Sequence, residues 1–238
     1  MKRYLVTGGS RGLGLCVVRA LLESGAQVLT CARRRSEGVD ALAAEFGPRV
    51  RFLEVDLAMR GTVARLVREF DLLDGLDGFV ANAALGLDGM LTLSPEESMR
   101  ACVEVNLISS MLLAREVIKG MFRRKQGSLV FVSAVAARTG VSGLTVYSAT
   151  KAWLCGFSKA LAREYGPVGI RSNCVLPGFL DTEMTHGLTK PARDRIAARS
   201  SLKRLGAASD IVGAVCFLLS DAAAFVTGTE VVIDGGML

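Results

Sequence analysis

The sequence predicts an α/β fold, a single domain built on a doubly wound, seven-stranded parallel sheet flanked on both faces by helices. Three observations predict it. Short Val-, Leu- and Ala-rich runs alternate with longer helical patterns almost from end to end, as parallel strands joined by right-handed helical crossovers require. A glycine-rich turn, Thr7-Gly8-Gly9-Ser10-Arg11-Gly12-Leu13-Gly14, separates the first apolar run from the first helical pattern. The 238 residues, 50% of them hydrophobic, suit one domain with a sizeable core.

Taken in order, strands are expected near 3–7, 26–31, 50–55, 78–81, 128–133, 170–175 and 230–233, each a short apolar run such as Tyr4-Leu5-Val6 or Leu129-Val130-Phe131-Val132. Helices are expected near 12–24, 37–46, 59–70, 95–122, 146–165 and 208–219. No low-complexity linker and no repeat beyond the β/α alternation divides the chain, so residues 1–238 are expected to form one dinucleotide-binding domain. The one long stretch of weak regular structure is 177–206, with a helix candidate at 191–199. A long excursion after a strand's carboxyl end often covers a ligand, and this one is expected to be a substrate lid.

Composition excludes several classes. The longest apolar stretches, such as Ile211 to Leu219, fall short of the roughly 18–20 residues of a spanning helix, so no membrane role is expected. Met1 to Thr7 runs straight into the turn and leaves no room for a signal peptide, which points to the cytoplasm. Six scattered cysteines without a Cys-x-x-Cys pair read as core residues in a reducing compartment. His186 is the only histidine, so neither a zinc cage nor a Ser-His-Asp triad is expected, and no metal site. The net charge is +6, but aromatics are only 6% and the clusters Arg33-Arg34-Arg35 and Arg123-Arg124-Lys125 are short, which speaks against nucleic acid.

Glycines at 8, 12 and 14 let the backbone turn sharply and approach a pyrophosphate at a helix N-terminus, as in Rossmann-type domains. Gly8, Ser10, Arg11, Gly12, Leu13 and Gly14 are therefore cofactor candidates. An NAD site commonly places a carboxylate at the end of the second strand; here the strand ends Thr30-Cys31-Ala32-Arg33-Arg34. With no acid there, Arg33 together with Arg11 would neutralise a 2′-phosphate, so the cofactor is expected to be NADPH. Further along, Tyr147-Ser148-Ala149-Thr150-Lys151 opens a long helix. Tyr147 and Lys151, four residues apart, share one helical face, and a neighbouring cation would lower the phenol's pKa for proton transfer.

Together these motifs resemble those of the short-chain dehydrogenases/reductases over essentially the whole chain. The T-G-x-x-x-G-x-G turn, Asp56, Asn82-Ala83, Asn106, Tyr147-x-x-x-Lys151 and Pro177-Gly178 stand in that family's order and approximate spacing. The 3-oxoacyl-acyl-carrier-protein reductases are the most similar branch. The resemblance rests there on Pro177-Gly178-Phe179-Leu180-Asp181-Thr182-Glu183-Met184, Thr227-Gly228 and Asp234-Gly235-Gly236-Met237. It implies hydride transfer between a nicotinamide and a carbonyl carbon, with Tyr147 as proton donor. Lys151 would bind the nicotinamide ribose and tune the phenol, and Asn106 would hold a water. Asp56 and Leu57 would flank the adenine, with Asn82, Ala83, Pro177, Gly178, Leu180 and Thr182 along the rest of the cofactor. The same resemblance implies a homotetramer, joined through the helix at 146–165 and the last strand.

The pattern breaks at one catalytic position. The family's serine, thirteen residues before the tyrosine and twenty-eight after the asparagine, falls here on Ala134. Ser133 is the first candidate to lend a hydroxyl in its place, with Thr145 or Ser142 behind it. On that reading Ala134→Ser changes little and Ser133→Ala damages activity. Milder departures are Ala81 and Ala84 beside Asn82-Ala83, where methyl groups would narrow the cofactor pocket. Of two basic residues that dock an acidic carrier near the site's mouth, Lys125 stands for one, while the other position is Val168. Two functions follow. The first is NADPH-dependent reduction of a 3-oxoacyl thioester or related ketone, with an acyl carrier protein or coenzyme A as the expected tether. The second is a catalytically impaired, cofactor-binding subunit that supports an active paralogue in a mixed oligomer.

Overall fold

The computed structural model describes residues 1–181 and 189–238. Seven strands form one sheet in the order β3-β2-β1-β4-β5-β6-β7, every neighbouring pair parallel. They are β1 (Arg3–Thr7), β2 (Gln27–Ala32), β3 (Val50–Glu54), β4 (Gly78–Ala81), β5 (Gly127–Val132), β6 (Ile170–Pro177) and β7 (Glu230–Ile233). The helices are α1 (Gly12–Glu23), α2 (Glu37–Phe46), α3 (Thr62–Phe70), α4 (Glu96–Val103), α5 (Ser109–Arg124), α6 (Ala136–Thr139), α7 (Thr145–Tyr165), α8 (Lys190–Arg199) and α9 (Ala208–Leu219).

Alternation along each strand divides the core into two layers. Leu5, Phe79, Leu129 and Phe131 face one layer with residues of α3, α5 and α7; Tyr4, Val6, Val80 and Val130 face the other with residues of α1, α2 and α9. Both sheet faces are therefore dry, which accounts for the continuous apolar runs of β4 and β5. Strand order reverses between β1 and β4, and the crevice outside their carboxyl ends is where open α/β sheets take their ligands.

Two departures from the expected elements matter for the site. The helix expected over 95–122 is broken at Glu104–Ile108 by a wider, π-type turn between α4 and α5, carrying Asn106. A short α6, not anticipated, follows β5. The excursion expected as a lid does contain α8, and its ends are joined by a parallel bridge between Leu180 and Gly206. Ser200 and Ser201 tie it to the carbonyls of Gly235 and Gly236, both at 2.9 Å. Among the described residues no helix is long and apolar enough to cross a membrane.

Candidate active site

The glycine turn is shaped by contacts that exclude side chains. Gly8 adopts a left-handed φ of +72°, and a Cβ on Gly14 would stand 2.1 Å from the Gly8 carbonyl oxygen. Gly8 N–H donates to the Cys31 carbonyl at 2.8 Å. Thr7 Oγ1 accepts the N–H groups of Asn82 and Ala83, both at 3.1 Å, and Asn82 Nδ2 donates to the Thr7 and Gly8 carbonyls at 3.0 and 3.2 Å. The end of β4 is thus fastened to the turn. Helix α1 begins at Gly12 with no acidic residue in its first turn, leaving its N-terminal amides suited to an anion.

The other cofactor candidates surround this turn. Ser36 Oγ donates to the Ser10 carbonyl at 2.5 Å, drawing the start of α2 against the turn. Arg33 is exposed and, among the described residues, has no ion-pair partner, whereas Arg35 is held by Asp40 at 2.6 Å. Asp56 Oδ1 accepts the Ala58 N–H at 2.9 Å, and Leu57 is buried beside it. A Cβ on Gly178 would lie 2.8 Å from Asp234 Cα, so β6 and the end of β7 approach closely there. Thr182 and His186 lie outside the described residues.

Tyr147 and Lys151 stand on the first two turns of α7, with the Lys151 Nζ 5.6 Å from the centroid of the Tyr147 ring. Lys151 is buried, and its ammonium donates to the Val132 carbonyl at 2.7 Å. Burial draws the Lys151 amine down to about 8. The phenol does not behave as the sequence suggests: burial pushes Tyr147 up to about 12, with Cys102 and Asp88 adding in the same direction. The ammonium that was to lower it is engaged with β5 instead.

Because the amine titrates near 8 when folded against an ordinary 10.5, the unfolded chain binds the extra proton between these values. Stability from this group therefore rises with pH across that window. Calorimetry of the cofactor-free protein and its Lys151→Met variant is expected to show any Tm advantage of the variant shrinking from pH 8 to pH 10.5. A pH-independent difference would contradict it.

Asn106 is 1% exposed, and both atoms of its amide are hydrogen-bonded. Its Oδ1 accepts Leu85 N–H at 2.7 Å, while Nδ2 donates to the Leu85 carbonyl and to Thr150 Oγ1, each at 3.0 Å. Ser133, the expected hydroxyl donor, turns the other way. It is 3% exposed, and its Oγ donates to the Lys151 carbonyl at 2.7 Å. The Ser133 and Val135 N–H groups both pair with β6, so the chain stays extended and the half-buried Ala134 points away from Ser133. Thr145 and Ser142 are exposed, at the start of α7 and in the turn before it.

Lys125 and Val168 are neighbours, since a Cβ on Gly169 would meet the Lys125 carbonyl at 2.4 Å. They sit at the amino end of β5, however, a strand length of roughly 20 Å from the carboxyl edge that holds Tyr147. They do not flank the mouth of this chain's own site. Arg123 and Arg124 are structural, donating to the carbonyls of Leu73 and Leu76. The residues missed in the sequence are Leu85 and Thr150. Thr150 lies inside the Tyr-Lys motif, and a buried hydroxyl between two functional side chains was the available signal.

Comparison with known proteins agrees with this geometry. The family described as Enoyl-(Acyl carrier protein) reductase matches residues 8–238. The 3-oxoacyl-acyl-carrier-protein reductase FabG of Escherichia coli (strain K12) is 35% identical over 237 residues, covering 99% of this chain and 97% of the relative. Nodulation protein G of Rhizobium meliloti (strain 1021) is likewise 35% identical, covering 99% and 96%. Among solved structures, a short chain dehydrogenase/reductase family protein superposes with a TM-score of 0.90 at 33% identity over 99% of this chain and 96% of that one. A 4-hydroxyisoleucine dehydrogenase complexed with NADH gives 0.93 at 26% identity, covering 100% and 98%.

Proposed function

The chain belongs to the short-chain dehydrogenase/reductase family, and from that membership we propose that it reduces a 3-oxoacyl thioester or related ketone to the hydroxy compound with NADPH. The observation that carries the reading is the meeting of Tyr147, Lys151 and Asn106 beside the glycine turn. The turn suits a pyrophosphate because no Cβ fits at Gly14 and the α1 amides face it uncompensated. When bound, NADPH supplies the hydride to the carbonyl carbon. Tyr147 hands its proton to the carbonyl oxygen. A phenol held near 12 is protonated at neutral pH, as a donor must be before the transfer.

Lys151 holds the nicotinamide ribose and keeps positive charge near the phenol. The Asn106 side chain is buried and bonded to Leu85 and Thr150, so its main-chain carbonyl, in the wide turn, holds the relay water. Asp56 and Leu57 flank the adenine, and Asn82, Ala83, Pro177, Gly178, Leu180 and Thr182 follow the rest of the cofactor. Arg33 and Arg11 take the 2′-phosphate. Residues 177–206 cover the substrate. The exposed Phe217 and Phe225 beside the terminal strand support assembly as a homotetramer, and the six free cysteines support a reducing cytoplasm.

Following NADPH oxidation by the purified chain with acetoacetyl thioesters tests the reading. Turnover by the chain alone supports it. Tight NADPH binding without turnover would instead favour the impaired subunit, a reading that Ala134 and the inward Ser133 keep in play; added paralogue then restores the rate. Arg33→Ala is expected to weaken NADPH by roughly 10- to 100-fold, the worth of one charged hydrogen-bonding contact, and NADH little. Equal losses, measured by titration of cofactor fluorescence, would remove the 2′-phosphate contact.

A further inference from the structure

We propose that Thr150 is a positioning residue for the proton donor, its hydroxyl bridging the Asn106 side-chain amide and the Tyr147 main-chain carbonyl. The proposal rests on the reading of Tyr147 as donor. Thr150 is 2% exposed. A hydroxyl carries one proton and two lone pairs. Here the proton goes to the Tyr147 carbonyl at 2.7 Å and a lone pair receives Asn106 Nδ2 at 3.0 Å. A helical threonine often donates to a carbonyl three residues back, so that bond alone is unremarkable. What distinguishes Thr150 is the second bond, which comes from outside the helix.

The orientation of the Asn106 amide is determined by Leu85. Its oxygen accepts Leu85 N–H and its nitrogen donates to the Leu85 carbonyl, so a flipped amide would set like groups against each other at both contacts. The nitrogen is therefore the atom presented to Thr150. Leu85 in turn follows Asn82 and Ala83, whose N–H groups end on Thr7 of the glycine turn. Hydrogen bonds at both ends of the segment 82–85 thus connect the nucleotide turn, through that segment and Asn106, to the first turn of α7.

That first turn has little else to hold it. Helix α7 starts at Leu144 without a side-chain cap and with no acidic residue in its first turn, and Ser148 Oγ, next to the donor, is buried without a hydrogen-bond partner among the described residues. Lys151, one residue past Thr150, is fastened to β5; around Tyr147 itself the external ties among the described residues include Gly89 N–H to the Gly143 carbonyl at 2.9 Å and the Thr150 bridge. Removing the hydroxyl leaves the Asn106 amide one acceptor short and frees the Tyr147 turn to shift.

Thr150→Val keeps the shape and removes the bridge; Thr150→Ser restores it. Two readouts decide. In protein labelled with 3-fluorotyrosine, the Tyr147 fluorine resonance, assigned by its absence in Tyr147→Phe, is expected to broaden or split in Thr150→Val and to return to a single line in Thr150→Ser. In turnover, Thr150→Val is expected to lose about tenfold in kcat through misplacement of the donor, with KM for ketone and Kd for NADPH within about twofold, and Thr150→Ser to recover it. An unchanged Tyr147 resonance in Thr150→Val overturns the proposal whatever the rate. So does a loss that Thr150→Ser fails to recover. If the parent protein does not reduce ketones, the functional reading falls, and the fluorine spectrum still decides on Thr150.

Discussion

Ala134→Ser is expected to raise kcat for ketone reduction by about 10²-fold, the usual worth of one preorganised donor to a developing oxyanion. The reason lies in the adjacent residue. Ser133 looked able to supply the missing hydroxyl, and on that view the substitution would be silent. In the structure that hydroxyl is 3% exposed and bonded to the Lys151 carbonyl, so it reaches no substrate. Position 134, half-buried at the carboxyl edge, has only a methyl group to offer. Ser133→Ala, conversely, is expected to act mainly on stability, by about 1 kcal/mol for one buried hydrogen bond. Steady-state rates of the two variants separate the cases. An unchanged rate in Ala134→Ser, with a large loss in Ser133→Ala, would mean that Ser133 turns outward in the working complex.

Tyr147→Phe is expected to lower kcat by about 10²- to 10⁴-fold, the usual contribution of a positioned acid, while NADPH affinity stays within about twofold. The ring keeps its packing when only the hydroxyl is removed, so this variant tests proton donation and not the integrity of α7. It is also a stringent case here. With alanine at 134, Tyr147 is the one side chain that our reading assigns to the substrate oxygen, and no neighbour is positioned to share the loss. Retention of more than a tenth of the parent rate in single-turnover measurements would show that the proton comes from elsewhere.

The sheet was legible because its strands are apolar runs, most of them closed by Gly, Arg, Asp or Asn, and all seven lie within about two residues of their expected ends. The glycine turn and the Tyr147-Lys151 pair were legible for a related reason: local spacing alone places them. What was not legible depends on tertiary contact. The run 95–122 carries helical periodicity throughout, and nothing in it marks the extra residue at Glu104–Ile108; that turn shows only when Asn106 meets Leu85. The phenol's pKa was misjudged because spacing reports that Lys151 is near, not that its ammonium is engaged with Val132. Lys125 was assigned to the mouth by position in a motif, whereas strand direction sends it to the opposite edge.

Ser133 and Ala134 also show what sheet register does to chemistry. The peptide bond between them separates two compartments: one residue serves the helix that carries Lys151, the other borders the crevice. Their assignment is set by the pairing of β5 with β6, Val132 opposite Val175. A one-residue slip that carried Ser133 into the place of Ala134 would set a hydroxyl in the crevice and bring Val132 under Lys151. The chain thus holds the atom its site lacks at a distance of a single register step, and gaining it by that route would undo the anchor of its own lysine.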